Sequence, residues 1–342
     1  MSNNETITLS HGSGGKAMRN LIDDVFVEGF DNPELSLLED QARFDLAKLA
    51  ARGDRLALTT DSYVVDPLFF AGGDIGKLAV SGTVNDLAVS GALPLYLTCG
   101  MIIEEGLAVD ELRKVVRSMK TTADAAGVQI VTGDTKVVHR GAADKLFINT
   151  AGVGVIPAGL DVRSDRAQPG DVVICNGYIG DHGAAIVDAR GELAIENTIE
   201  TDCAPLNQLI AAMLDVCPDI HCMRDATRGG VATVLNEFAR ASACAIRIDE
   251  SALPIREEVR GMCEILGLDP MYLANEGKVI AVVPASAAET VLAAMRALPE
   301  GQDARVIASV EADPAGRVTM QTLFGGERIV DMLVGEQLPR IC

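Results

Sequence analysis

The 342-residue chain carries 29 Lys and Arg against 49 Asp and Glu, a net charge of −20, and is 48% hydrophobic with only 4% aromatic residues and no Trp. Such a charge repels nucleic acid and anionic bilayers, so an anionic ligand would need a metal ion, a helix N-terminus or a few well-placed cations. Met1–Leu9 has no leader-like pattern and no uncharged apolar run is long enough to span a bilayer, so a cytoplasmic protein with neither nucleic acid nor membrane partners is expected.

The length predicts two domains with aliphatic cores. Residues 55–62 alternate apolar and polar positions and predict a strand ending at Asp61, which would put a carboxylate at a strand terminus. The A-G-G-D turn at 71–74 leads into a run of small residues that predicts a helix packed closely on a sheet. A strand at 95–103 follows, then a helix whose Leu112, Val115, Val116, Met119 and Ala123 recur at helical spacing and which Gly127 ends. The segment 128–136 predicts a strand running into a Gly-Asp loop, and 146–156 a further strand.

The charged, turn-rich segment 157–170 marks a boundary: an N-terminal domain over 1–157, a C-terminal domain over 158–334 and a flexible tail over 335–342. In the second half, 171–186 reads as strand, glycine-rich turn and helix, and R-D-A-T-R-G-G-V at 224–231 again puts glycines at a helix start. Strands at 278–283 and 304–310 flank a helix over 287–298. Mixed strands and helices in both halves predict α/β or α+β layers in each.

Eight scattered Cys without a C-x-x-C pair fit reduced thiols, and Cys99 and Cys175 sit in apolar runs as small core residues. Cys217, His221 and Cys222 match no common zinc spacing.

Several motifs can carry chemistry. H-G-S-G-G-K at 11–16 could wrap backbone N–H groups around phosphate oxygens beside the Lys16 ammonium, although it is not a Walker A sequence and also reads as a mobile N-terminal loop. Asp61, the Asn85-Asp86 pair and Asp134 offer oxygen ligands of the kind Mg²⁺ takes, though each Asp taken singly also suits a cap or turn. A-N-E-G-K at 274–278 sets Glu276 and Lys278 before a strand, and Asp181-His182 could meet a phosphate or cap a helix. The chain ends on Cys342, in a tail whose last eight residues, extended, reach roughly 26 Å, enough to enter and leave a cleft.

In order along the chain, H-G-S-G-G-K, T-D-S-Y-V-V-D-P-L-F-F, G-K-L-A-V-S-G-T-V-N-D-L-A-V-S-G-A, T-G-D-T-K-V-V, R-D-A-T-R-G-G-V, A-N-E-G-K and terminal P-R-I-C resemble the HypE family of nickel–iron hydrogenase maturation factors. That family lies in the PurM-like superfamily beside aminoimidazole ribonucleotide synthetase, selenophosphate synthetase and thiamine-phosphate kinase. The Asp-rich motifs are common to the superfamily; the terminal P-R-I-C narrows the resemblance to HypE. It implies two PurM-like domains with mixed sheets covered by helices, and a homodimer built through the N-terminal domains. It also implies ATP-dependent dehydration of a carbamoyl group on Cys342 to a cyano group destined for hydrogenase iron. HypF would load the carbamoyl group and the HypC–HypD complex would receive the product. By motif position, ATP would be held by Gly12, Gly14, Gly15, Lys16, Asp61, Lys77, Asn85, Asp86, Gly133, Asp134 and Thr135, with Asp61, Asp86 and Asp134 on Mg²⁺. Cys342, Glu276 and Lys136 would carry the chemistry. The alternatives are another ATP enzyme of the superfamily, of selenophosphate synthetase or small-molecule kinase type, and a carrier that binds ATP only as a structural ligand.

Overall fold

The computed structural model describes residues 5–191, 199–335, 338 and 340–342. Glu336, Gln337 and Pro339 of the predicted tail lie outside the described residues. The described residues build two large sheets and a two-stranded ribbon of Phe69–Phe70 with Gly73–Asp74. The first has four strands, β1 (Arg55–Tyr63), β2 (Leu93–Glu104), β3 (Gln129–Val138) and β4 (Leu146–Ile156), in the order β1-β4-β2-β3. Only β2 and β3 run parallel, and the connection between them is the 18-residue helix α3 (Val109–Ala126), the crossover a parallel pair requires. Before these come helix α1 (Lys16–Leu21), continuous with a π-helical stretch over Ile22–Val27, and between β1 and β2 helix α2 (Ile75–Val89).

Helix α2 forms where predicted, and the Asp74 carboxylate caps it by accepting from the N–H groups of Gly76 and Lys77. It is buried on nearly every side because it packs against β1, β4, α3 and the second half of the chain at once, and its Gly, Ala and Ser residues allow that approach.

The second sheet holds β5 (Asp171–Cys175), β6 (Cys222–Asp225), β7 (Ala245–Asp249), β8 (Val279–Pro284), β9 (Arg305–Glu311), β10 (Val318–Gln321) and β11 (Glu327–Ile329), ordered β11-β10-β7-β9-β5-β8-β6. Strand β8 shows why it is central. Ile280 and Val282 enter the core on the face of helix α6 (Gly230–Ala241), whereas Val279, Ala281 and Val283 enter that of helices α5 (Asn207–Val216) and α8 (Ala288–Arg296). Helix α4 (Asp181–Ala189) follows β5, and α7 (Glu257–Leu266) packs beside it.

Two expectations need correction. β1 continues through Asp61 to Tyr63, so this carboxylate lies inside a strand, held in register opposite Thr150 of β4. Gly133 and Asp134 likewise lie within β3, paired with Cys99 and Gly100 of β2. Gly133 is there because a Cβ would stand 2.3 Å from the Cys99 carbonyl oxygen, a close approach of two backbones that only glycine permits.

One face of the first sheet packs on α2 and α3; the other is largely bare among the described residues apart from Phe44 stacked on Tyr96, with Leu56, Leu58 and Ile102 exposed at 55%, 74% and 45%. The chain terminus is seated against the first core, with Ile341 buried and Cys342 packed beside it.

Candidate active site

The A-N-E-G-K turn is clamped from several sides. Asn275 accepts from the Gly180 N–H at 2.7 Å and donates to the Ala226 carbonyl, and the Asp202 carboxylate receives the N–H groups of Glu276 and Gly277 at 3.1 Å each. Asp202 also pairs with Lys278 at 3.0 Å. Burial pushes the Asp202 carboxyl up, but Lys278 and its other partners hold it below the usual carboxylate range. Lys278 and Asn275 are therefore architectural, and what they present is the buried side chain of Glu276.

Around Glu276 the fold gathers acids from three elements. Asp61 comes from β1 and Asp86 from α2, where the Thr59 hydroxyl donates to its carboxylate at 2.8 Å; Asp225 comes from the end of β6. Burial first, then Asp225, Asp202, Asp61 and Asp86, raise the Glu276 carboxyl well above its ordinary value. Burial and then Asp86 push Asp225 up to about 7, and burial raises Asp86 as well. A partly desolvated set of like charges is poorly stable alone and is eased by any cation that enters it.

Arg228, in the turn before α6, reaches the Asp61 carboxylate at 3.7 Å and shares with Ser62, Gly229 and Cys342 a cavity of about 360 Å³. A second cavity of about 730 Å³ lies on the far side of Arg228 and takes in Thr59, Asp86, Asp225 and Arg224. Cys342 stands between burial and opposing charges: burial, then Glu276, push its thiol up to about 12, and Arg228 pulls the other way. The seated thiol is therefore protonated.

The remaining predicted residues fall elsewhere. Asp134 is in register with Gly100, Asn149 and Ser62 across the whole sheet, three strand spacings or about 14 Å from β1. It is exposed on the bare face, where Lys136 pairs with it at 2.9 Å and holds its carboxyl below the usual range. Asp134 therefore does not share an ion with Asp61 and Asp86 inside one chain, and Lys136 does not approach Cys342 there, because the sheet stands between them. Gly12, Gly14, Gly15 and Lys16 lie at the β3 edge too, and a Cβ on Gly12 would meet Val137 at 2.9 Å. Thr135 is buried beside them. Lys77 donates to the Gly72 carbonyl. Asn85 is not available to a nucleotide, since its amide donates to the Ala204 carbonyl at 3.0 Å and accepts from the Leu206 N–H at 2.7 Å. The sequence pattern does not mark Asp225, Arg228 or Asp202 as site residues. The first two stand in the R-D-A-T-R-G-G-V motif, whose glycines signal only a helix start.

Two mixed α/β layers that meet at an acid-lined cleft have the two-domain plan of the AIR synthase related proteins. Residues 39–156 match the N-terminal domain of that family and residues 168–321 the C-terminal domain, in the PurM-like fold. The chain is 58% identical to the carbamoyl dehydratase HypE of Rhodobacter capsulatus, over 99% of this chain and 98% of that one. It superposes on a crystal structure of the hydrogenase maturation protein HypE in complex with ATP with a TM-score of 0.93 at 51% identity, covering 98% of this chain and 100% of that one. A crystal structure of a HypE–HypF complex matches with a TM-score of 0.79 at 47% identity, covering 92% and 99%. The chain belongs to the carbamoyl dehydratase HypE family.

Proposed function

We propose that this protein uses ATP to dehydrate a carbamoyl group carried on Cys342, giving a cyano group for the iron of a nickel–iron hydrogenase. The observation that carries the reading is the seating of Cys342 beside buried Glu276, at the Asp61 and Arg228 end of the acid cluster. The relatives named carbamoyl dehydratase, and the ATP complex of one family member, support it.

Converting an S-carbamoyl group to a thiocyanate removes one oxygen and two protons. Oxygen leaves poorly from an amide, so the carbonyl oxygen takes the terminal phosphoryl group of ATP and departs as phosphate, with ADP as the other product. Asp61, Asp86 and Asp225 suit a magnesium ion. Among the described residues no three acidic, His or Cys side chains are grouped to hold an ion unaided, which accords with a metal that takes one or two carboxylates plus phosphate oxygens. Mg²⁺, when bound, would offset the phosphate charge and weaken the repulsion that keeps the proton on Glu276. Glu276 is then the base for the nitrogen protons. Arg228 lines the cavity with Cys342 and would offset charge on the departing phosphate.

The acids and thiol lie at the β1 edge, whereas the glycine loop, Asp134 and Lys136 lie at the β3 edge of the same sheet, with Asp134 and Lys136 on its bare face. A homodimer formed by bare faces of two copies would bring one chain's β3 edge towards its partner's β1 edge, and that arrangement would give Lys136 and Asp134 their expected roles. The protein would act in the cytoplasm. HypF would load Cys342, as the HypE–HypF complex of a relative suggests, and the HypC–HypD complex would accept the cyano group.

The test follows mass at the C-terminal peptide after supply of HypF, carbamoyl phosphate and ATP. A carbamoyl mass should appear on Cys342, followed by loss of one water that needs ATP. Cys342→Ala should show neither, and Glu276→Gln should stall at the carbamoyl stage with nitrile formation reduced at least about 100-fold. Modification at another cysteine, or turnover by Cys342→Ala, would overturn the assignment.

A further inference from the structure

The described end of the tail is gripped from several elements. Val64 N–H donates to the Cys342 carbonyl at 3.0 Å, and Arg190, which ends α4, donates to the Arg340 carbonyl at 2.9 Å. The carbonyl of Ile341, one residue before the thiol, meets Nε2 of His182 at 2.8 Å. His182 is completely buried on the first turn of α4, against the edge of Phe70, and its Nδ1 lies 2.8 Å from the Thr201 hydroxyl.

The hydrogens in this chain of contacts can be assigned. A carbonyl only accepts, so Nε2 must carry the proton that points to Ile341. Thr201 Oγ1 already accepts from the Cys203 N–H at 3.1 Å, leaving its own proton to donate to Nδ1. Burial favours this neutral ring by lowering the His182 pKa, and Asp202 opposes the effect. The ring is thus set in one tautomer and one orientation from behind, with its single N–H turned to the tail.

We propose that His182 is a positioning residue for the proposed reaction: through the Ile341 carbonyl it fixes the height at which the tail enters the cleft, and so holds the Cys342 sulfur beside Glu276. Thr201 is its orienting partner. The proposal rests on the reading of Cys342 as the carrier of the reacting group. It explains why a histidine is kept where an apolar residue would fill the same space: an apolar side chain leaves the Ile341 carbonyl buried without a donor and favours release of the tail. The seated thiol is half-buried and held protonated by burial, which favours loading on the released tail and dehydration on the seated one. His182 acts on the balance between the two.

The experiment uses the full chain and iodoacetamide, with alkylation followed peptide by peptide. Cys175 and Cys263 are buried in the second half of the chain and report unfolding. His182→Leu should be alkylated at Cys342 about tenfold faster than the wild type, the scale of one buried hydrogen bond lost, with Cys175 and Cys263 unchanged. His182→Gln, whose amide can donate to the same carbonyl, should stay within about twofold, and Thr201→Val should fall between them. With HypF and ATP, His182→Leu should accept the carbamoyl group at least as fast as the wild type but form nitrile more slowly per loaded tail. Equal alkylation of Cys342 in wild type and His182→Leu would overturn the proposal, as would acceleration at all three cysteines together. Nitrile formation elsewhere than on Cys342 would sink the dehydratase reading while leaving the alkylation contrast as an independent result.

Discussion

Asp225 and Glu276 are the residues most at odds with their surroundings. A carboxyl pushed up in the folded state keeps a proton that the unfolded chain gives away, so it costs stability as pH rises from the unfolded value towards the folded one. For Asp225 that interval runs from the ordinary 3.8 up to about 7. Asp225→Asn keeps the neutral form at every pH. Melting of the ligand-free variant should therefore match the wild type near pH 4 and exceed it at pH 8, by about 2 kcal/mol once the partial exposure of Asp225 is allowed for. Equal stabilities at pH 8 would show that the acids do not repel one another as drawn. Little of this was readable from residue types. Asp61 stands out because it ends an alternating run, Asp86 because it interrupts a helix of small apolar residues, and Glu276 because of its glycine neighbour. Asp225 joins them only through the pairing of β6 with β8, which sets it opposite Val279, three residues after Glu276.

At the level of elements, sequence patterns locate α2, α3, β2 and β4, and in the second sheet β5, β8 and β9. They cut β3 short, where T-G-D-T-K carries the composition of a turn. Parallel pairing with β2 overrides that composition, and the cost of a glycine in a strand is accepted because the Cys99 carbonyl leaves no room for a side chain. Gly133→Ala must push backbone against backbone. It should destabilise the protein by about 2–4 kcal/mol, read as a lower denaturation midpoint with an unchanged slope. A variant as stable as the wild type would mean that the two strands can separate freely at this point. The tail shows the opposite failure. It reads as flexible because the partners of its described residues, Val64, Asp144 and the two ends of α4 at His182 and Arg190, come from three distant places in the chain, and no local pattern announces a segment held by hydrogen bonds from elsewhere.

For the whole molecule, the division of the predicted site between two edges of one sheet is the governing fact. If the proposed homodimer completes each site from two chains, Leu58→Asp, which places a charge on the bare face, should leave a folded monomer of 36.0 kDa in light scattering, without dehydratase activity. Crossed complementation is the sharper measurement. Lys136→Ala and Glu276→Gln should each be inactive, yet a re-equilibrated mixture should regain about a quarter of wild-type activity, because half of the dimers would hold one site with both native residues. No recovery on mixing would return Lys136 to a role within its own chain or remove it from the reaction.

The sequence by itself determined which residues have the right chemistry, the α/β character of both halves, and through its ordered motifs the family. These are properties of local patterns and of side-chain type, and both survive reading in one dimension. Only the tertiary structure decided which of those residues meet. A sheet has two faces and two edges, so Asp61 and Asp134, alike in sequence context, end about 14 Å apart, while Asp225 reaches Asp86 and Glu276, and His182 and Arg228 reach the end of the tail, from elements that have no reason to be neighbours until the two sheets pack around α2.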